Sequence, residues 1–518
     1  MMPNRSSDPL FLLVHSLEKA EKRNFKLYIK RNSEREDLKI IQLFDALDRM
    51  REYDEKVLLT KLASVNKPQL ANLKAHLYRQ LLASLRVLKN TGSIDLQLHE
   101  QLDYARILYN KGLYLQSLRV LDRVKDLAKH YHQESFLIQV ISLEKKIETL
   151  HITRSFEDRA EKLVQEADEV NRQRLMITGL SNLALSLYRW YVKNGHARNE
   201  KDEQGVNSFF KSLLPAAALN ATGFYERLYL FQSYCWYAFI RQDFLMYYRY
   251  SMKWVALFES EKTMIPVETG HYIKGIHNLL TACFDLRNYG PFEIYLSRFE
   301  IFAKTDEANQ HYNFRMQTFV YVTSARINGH LMKGSFAEGV KLIPEIENGL
   351  EKYASFIDRH RLLVIRYKIA LLYFGHGDYE LSIDFLHQII NGPLDLRIDL
   401  QCYARLLHLM AHFELGNESI IESQIRSVYR FMSRMENLTV VEEEMFAFLR
   451  NNFYVSSKKL KPALEAFLLK IKRFEKNRFE TRAFNYLDII SWVEGKVYEK
   501  PMASIIRTKY LQNKHRGQ

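Results

Sequence analysis

The sequence predicts an all-α chain: an array of helical hairpins behind a helical N-terminal module. A short turn recurs about every 40 to 48 residues, with helical apolar spacing on both flanks. It is clearest at Lys111-Gly112-Leu113-Tyr114 and His376-Gly377-Asp378-Tyr379. Gly (19) and Pro (10) are scarce for 518 residues; glycine loses too much entropy in a helix interior, and proline lacks the N–H and clashes. Apolar residues at 47%, with 31 Tyr and 31 Phe, supply ample core and exclude overall disorder. A period in this range marks an α-solenoid, in which no hairpin buries its apolar face alone.

The first element starts at Asp8-Pro9, where Asp can cap and Pro suits the first helical position. Leu10, Leu13, Val14, Leu17, Phe25, Tyr28 and Ile29 continue it at three- and four-residue steps. Ile40, Ile41, Phe44 and Leu47 mark a second helix, and Asp54 opens a third to about Leu62. Pro68 starts a fourth, with Leu70, Leu73, Leu77, Leu81, Leu82 and Leu85 on its apolar side, ended by Thr91-Gly92-Ser93. Residues 1–92 are the N-terminal module and 93–455 the hairpin array. Residues 456–500 read as C-terminal capping helices, and 501–518 as a fraying basic tail. Within the array, the polar stretch from Lys193 to Asn207 reads as an exposed loop.

The two best copies share more than a turn. Ala370, Tyr373, Gly377, Tyr379, Ser382, Leu386 and Ile389 sit at the same offsets as Ala105, Leu108, Gly112, Tyr114, Ser117, Leu121 and Val124. A small residue lets the first helix approach its neighbour, glycine takes the conformation a tight helix stop requires, and serine leaves room on the second helix. Weaker copies lie at Gly334, Asn288, Asp243 and Gly416, with looser candidates near Phe156, Gly195 and Ser457. These residues resemble the tetratricopeptide repeat over roughly 95–455, with a period longer than that family's 34 residues. The run Ser16 to Lys26 resembles the opening of uncharacterised repeat proteins of Bacteroidota-type bacteria, a match that carries no function.

Catalytic signatures are missing. No Walker loop, GxGxxG, HExxH, GxSxG or EF-hand pattern occurs. Cys235, Cys283 and Cys402 are widely spaced within apolar helical stretches and read as core thiols. His408 and His412 share a helix face but lack an evident third ligand, and Glu442-Glu443-Glu444 reads as a solvated helix face. The expectation is a non-enzyme without cofactor or metal. No apolar run reaches membrane-spanning length and no cleavable leader is evident, so a soluble, cytoplasmic chain without membrane contact is expected.

What remains is a surface for a protein or peptide partner. The tetratricopeptide resemblance implies that the first helix of each hairpin lines a concave groove. Carried over by position, it points to Tyr229, Gln232, Trp236 and Phe239, then Lys274, His277, Thr281 and Phe284, then Tyr321, Ser324, Asn328 and Leu331. Rings supply contact area there, and amides can satisfy a peptide backbone; the competing assignment for the aromatics is inter-helix core.

The net charge of +14 sits at the two ends, where 1–90 hold 18 Lys/Arg against 11 Asp/Glu and 455–518 hold 15 against 6. A nucleic-acid-associated regulator is therefore the alternative. The segment from Val57 through Ser64-Val65-Asn66 into the Pro68 helix could form a helix-turn-helix, with Lys67, Lys74, Arg79, Arg86 and Lys89 on phosphates. A cap over the open end of the array explains the same residues without DNA.

Overall fold

The computed structural model describes residues 8–31, 37–62, 66–89, 93–151, 158–354, 356–393, 397–435, 438–452 and 457–516, and every regular element among them is a helix. The chain divides into two units, Met1–Asn171 and Arg172–Gln518. Of the features expected from the sequence, Thr91-Gly92, Ser64-Val65, Phe156 and the side chains of Lys89 and Ser457 lie outside the described part.

In the first unit, the Asp8 carboxylate accepts the Leu10 and Phe11 amides at 3.0 and 3.2 Å and so caps α1 (Pro9–Ser16). After α2 (Lys19–Arg31), α3 (Asp37–Asp48) and α4 (Glu55–Lys61), the long α5 (Lys67–Lys89) packs on α2 and α3. Val14, Phe25, Leu43, Phe44, Leu47 and Leu77 are fully buried in the core these helices share. Each contributes about 1.5–3 kcal/mol by leaving water. A separate core runs through α6 (Ile94–Asn110), α7 (Tyr114–His130), α8 (Glu134–His151) and the first part of α9 (Arg159–Asn194).

In the second unit, α10 (Glu200–Leu213) follows α9 after five residues, capped by the Asn199 side chain 2.9 Å from the Asp202 amide. The stretch 193–207, expected as a loop, is therefore largely helical. Its packing residues, Val206 and Phe210, are buried with Leu183, Leu187 and Tyr237, and only one of the two precedes residue 207, too few to show a period. Next come α11 (Phe224–Ile240), α12 (Phe244–Ser260), α13 (Thr269–Asp285) and α14 (Tyr289–Phe302), then the short α15 (Asp306–Asn309). The long α16 (Tyr312–Lys333) turns back through α17 (Phe336–Val340) and α18 (Ile343–Lys352). Thereafter α19 (Arg359–His376) pairs with α20 (Tyr379–Ile390), and α21 (Ile398–Glu414) with α22 (Glu418–Arg434). Besides these pairings, α13, α16 and α19 pack side by side, one from each successive hairpin. The unit closes with α23 (Val440–Asn452), α24 (Ser457–Lys472), α25 (Thr481–Tyr486), α26 (Ile489–Val497) and α27 (Met502–Arg516).

The recurring turn has one geometry. At Gly112, Gly334, Gly377 and Gly416 a glycine one or two residues past the helix takes a positive φ, and the next amide reaches back to a carbonyl five residues earlier. Leu113 N meets Leu108 O at 2.9 Å, and Asp378 N meets Tyr373 O at 3.0 Å. This is the bond that satisfies orphaned helix carbonyls in a left-handed stop. The turns at Gln242 and Arg287, which lack glycine, make the same bonds, Asp243 N to Ala238 O at 2.9 Å and Asn288 N to Cys283 O at 2.8 Å. Their left-handed backbone costs about 1–2 kcal/mol. At Gln242 the side chain anchors the turn, with Nε2 donating to Ala197 O at 2.9 Å.

The segment beyond Pro501, expected to fray, is the ordered α27. Ile506 and Tyr510 are buried, and Tyr510 donates to Glu293 at 2.7 Å while its ring meets Tyr289 edge-on. The reason is local space: a Cβ on Gly334 would stand 2.5 Å from Ala503 O, so the left-handed glycine turn is the seat on which α27 rests.

Candidate functional site

The side-by-side packing of α13, α16 and α19 brings six polar side chains onto one shared face. Lys274 and His277 stand one turn apart on α13, Tyr321 and Ser324 on α16, and Arg361 and Lys368 two turns apart on α19. The His277 ring stacks on Tyr321 with centroids 4.0 Å apart and planes 11° apart. Lys274 Nζ lies 5.3 Å from the Tyr321 centroid and the Arg361 guanidinium 5.7 Å from it. Arg361 Nη2 is 3.4 Å from the Tyr321 hydroxyl, and Lys368 donates to the Ser324 hydroxyl. Lys274, His277, Arg361 and Lys368 each keep partial contact with water.

The field over this face is positive. Burial holds His277 well below the ordinary histidine value, and Lys274, Lys368 and Arg361 add to the effect. Burial alone would raise Tyr321, but Lys274 and Arg361 outweigh it, so its hydroxyl is more acidic than usual. Burial pushes Lys368 down to about 7, opposed by Asp285 and reinforced by Arg397. Burial likewise pushes Asp285 up to about 7, against Arg287 and Lys368. His360 falls to about 4 through burial, then Arg397 and Lys274. Among the described residues, no carboxylate forms an ion pair with Lys274 or Lys368.

Several polar atoms in these helices are buried without a partner: Gln232 Oε1 on α11, and Gln317 Oε1, Thr318 Oγ1 and Asn328 Oδ1 on α16. A buried acceptor left unsatisfied costs about 1–3 kcal/mol. Asn328 is one turn beyond Ser324 on the same face of α16.

The other end of the face is covered by the chain itself. Phe284, Leu331 and Phe374, each three residues before its turn, line a hollow closed by Phe484, Leu487 and Ile506. Tyr486 anchors that cover: its ring stacks on Tyr403 at 4.2 Å, and its hydroxyl meets the Asp399 carboxylate and Arg397 Nη2. Tyr367 donates to the Tyr486 carbonyl at 3.1 Å.

The residues selected from sequence therefore divide. Lys274, His277 and Tyr321 form one contact cluster, and Asn328 continues their face. Tyr229 stands near the start of α13, its ring edge-on to His271 at 6.1 Å, beside a Glu268 carboxylate that accepts from Tyr225 at 2.8 Å. Gln232 lies on the next turn of α11. Trp236 joins a different group, packing with Tyr188, Tyr191 and Phe239. Arg361 and Lys368 were missed. The offset shared by Lys274 and Tyr321 lands on Val364 in the hairpin at Gly377, and that shared by His277 and Ser324 on Tyr367, so the cations of α19 sit outside the repeat register.

Elsewhere the expected cations of the N-terminal module are largely paired. Lys74 bonds Asp8 and the Tyr53 hydroxyl, Lys67 lies 3.4 Å from Glu55 and Arg86 3.6 Å from Asp103, while Arg79 is exposed. Glu442, read as solvated, is fully buried and accepts from Thr439 N and Tyr403 OH at 2.8 Å each. Cys235 and Cys283 are buried, and burial pushes both thiols up to about 12. His408 meets His387, with their Nε2 atoms 3.2 Å apart, and its ring lies 4.5 Å from that of His412. Among the described residues, no group of three or more His, Cys, Asp or Glu is arranged to hold a metal ion, and no helix is long and apolar enough to cross a membrane. No protein-family model matches the chain, and no curated protein matches it.

Proposed function

We propose that the chain is a non-catalytic binding scaffold. Its hairpins stack as a tetratricopeptide-like solenoid, and the face shared by α11, α13, α16 and α19 receives a segment of a protein partner. One observation carries the reading. That face concentrates polar groups that the chain leaves without partners: the Lys274 ammonium lacks a carboxylate, and Gln232 Oε1 and Asn328 Oδ1 lack donors. A fold retains such groups at a cost, and a bound segment supplies an anionic group for the partly exposed lysine; the two acceptor atoms themselves are closed off from solvent. The half-buried rings of Tyr229 and His277 offer contact area beside them. Phe484 to Asp488 already covers the far end, which leaves the stretch from Tyr229 to Asn328 for the partner.

The test is comparative affinity purification from native cells, with the unaltered chain beside a Tyr229→Ala/Lys274→Ala/Asn328→Ala variant of unchanged helicity. The reading expects a specific co-purifying protein whose recovery falls by about tenfold or more in the variant. Equal recovery from both chains removes this face as the docking surface.

A further inference from the structure

We propose that the face shared by α13, α16 and α19 carries a binding site for a phosphoryl group, held by Lys274, Arg361 and the Tyr321 hydroxyl. The inference rests on reading this face as the binding surface and adds the chemical class of its ligand. The charged and titratable groups around this site are Lys274, His277 and Asp285 from α13, Tyr321 from α16, and Asp358, His360, Arg361 and Lys368 at and within α19, with Arg397 and Asp399 at the start of α21; the Ser324 hydroxyl lies beside them.

Their charges do not balance. Arg397 is bidentate on Asp399, with both contacts at 2.8 Å. Arg361 is 3.0 Å from an Asp358 carboxylate that is itself half exposed, which leaves its other edge turned to Tyr321. Lys274 has only the face of a ring, and Lys368 only the hydroxyl and carbonyl of Ser324. Asp285 sits nearby, but burial drives it toward its neutral form. Burial drives Lys368 to about 7 in the same way, so Lys274 is the cation left without a counter-ion on this half-buried face, where a charge is screened less than at the surface.

The donors define the ligand. An ammonium, a guanidinium edge and a phenol hydroxyl reach in from three different helices, and all three donate. A carboxylate takes its donors in a plane. A phosphoryl group presents three acceptor oxygens about one centre, which matches donors from three directions, and its negative charge compensates Lys274. It can arrive on a small phosphorylated compound or on a phosphorylated side chain of the bound segment.

Calorimetric titration of the full chain with inorganic phosphate, against chloride at equal ionic strength, tests the site; a phosphoserine tripeptide forms a second arm. Saturable phosphate binding is expected, weakened by about tenfold or more in Lys274→Met and in Arg361→Gln, since each removes a charge-assisted bond. Tyr321→Phe, which deletes only a hydroxyl, is the fallback should either variant fail to fold, and weaker binding is expected there too. Lys341→Gln, at an exposed lysine bonded to Glu338, should bind as the unaltered chain does. Tighter binding of the tripeptide assigns the group to a phosphorylated segment, and equal binding assigns it to a small compound; both support the site. Absence of binding, or equal binding by Lys274→Met and Lys341→Gln (an adventitious ion only), overturns it. Partner recovery that depends on the face while phosphate does not bind overturns this inference alone. Phosphate binding with partner recovery indifferent to the face overturns the docking reading alone.

Discussion

The Ser382 hydroxyl donates to the Ala370 carbonyl at 2.9 Å, across the two helices of one hairpin. Ser117 makes the same bond to Ala105 at 2.8 Å in the first unit. Both serines are completely buried. The repeat thus preserves a hydrogen bond between its helices as well as a small volume. Ser382→Ala should destabilise the second unit by about 1 kcal/mol and Ser117→Ala the first by a similar amount. Denaturant unfolding measures both; unchanged midpoints would reduce serine's role to its size.

Gly377 takes φ +101°, with nothing within 4 Å of where its Cβ would be. Gly377→Ala should therefore cost about 1 kcal/mol through backbone conformation alone. Gly205, in α10, has no positive φ, and a Cβ there would meet only Trp190 at an ordinary 3.8 Å. Gly205→Ala should be neutral or stabilise by up to about 1 kcal/mol. The same unfolding curves separate the two, and equal costs would remove the left-handed stop as the reason for glycine at the turn.

Gly334→Ala acts differently, because its Cβ would press on the backbone of α27 at Ala503 and Arg507. Peptide backbone cannot move aside as a flexible side chain can, so the helix should lift. Hydrogen exchange should show the amides of α27 losing protection while α21 and α22 keep theirs. Protection of α27 equal to that of the unaltered chain would contradict this seating.

Acid should loosen the contact between α20 and α21. Burial, then His412 and His387, hold His408 down to about 4, below its ordinary 6.5. Gln424 opposes this shift through a hydrogen bond, and Arg405 adds to it. The folded state therefore binds fewer protons than the unfolded state between these values. The associated stability is complete above about pH 6.5 and is lost as pH falls toward 4, by an amount on the order of 3 kcal/mol. His408→Gln should flatten that part of the stability–pH curve; an unaltered slope would assign it to other groups.

The legible parts of the molecule are those with local causes. Glycine at 112 and 377 marks a left-handed stop because few other residues adopt that backbone. Gln242 and Arg287 hide the same stop, since what supports Gln242 is a contact with Ala197, far away in sequence. Lys274, His277 and Tyr321 come together because repeat offsets place equivalent residues of neighbouring hairpins side by side. Trp236 obeys the same offset yet packs toward Tyr188 and Tyr191 of α9, a neighbour that no offset within the hairpin specifies. The order of α27 was illegible for a related reason. Few apolar residues carry its packing face, and their partners, such as Glu293 for Tyr510, lie more than two hundred residues earlier.

Site-directed photo-crosslinking reports whether a partner segment lies on the face shared by α11, α13, α16 and α19. A photoreactive aromatic side chain placed at Tyr229 keeps a ring on the shared face, and the same group at Leu219, which is 74% exposed in a short helix outside that face, serves as the reference. The co-purifying partner should crosslink from position 229 and not from 219, and Lys274→Ala should abolish the crosslink. A partner captured only from 219, or captured from 229 regardless of Lys274, would contradict docking on that face.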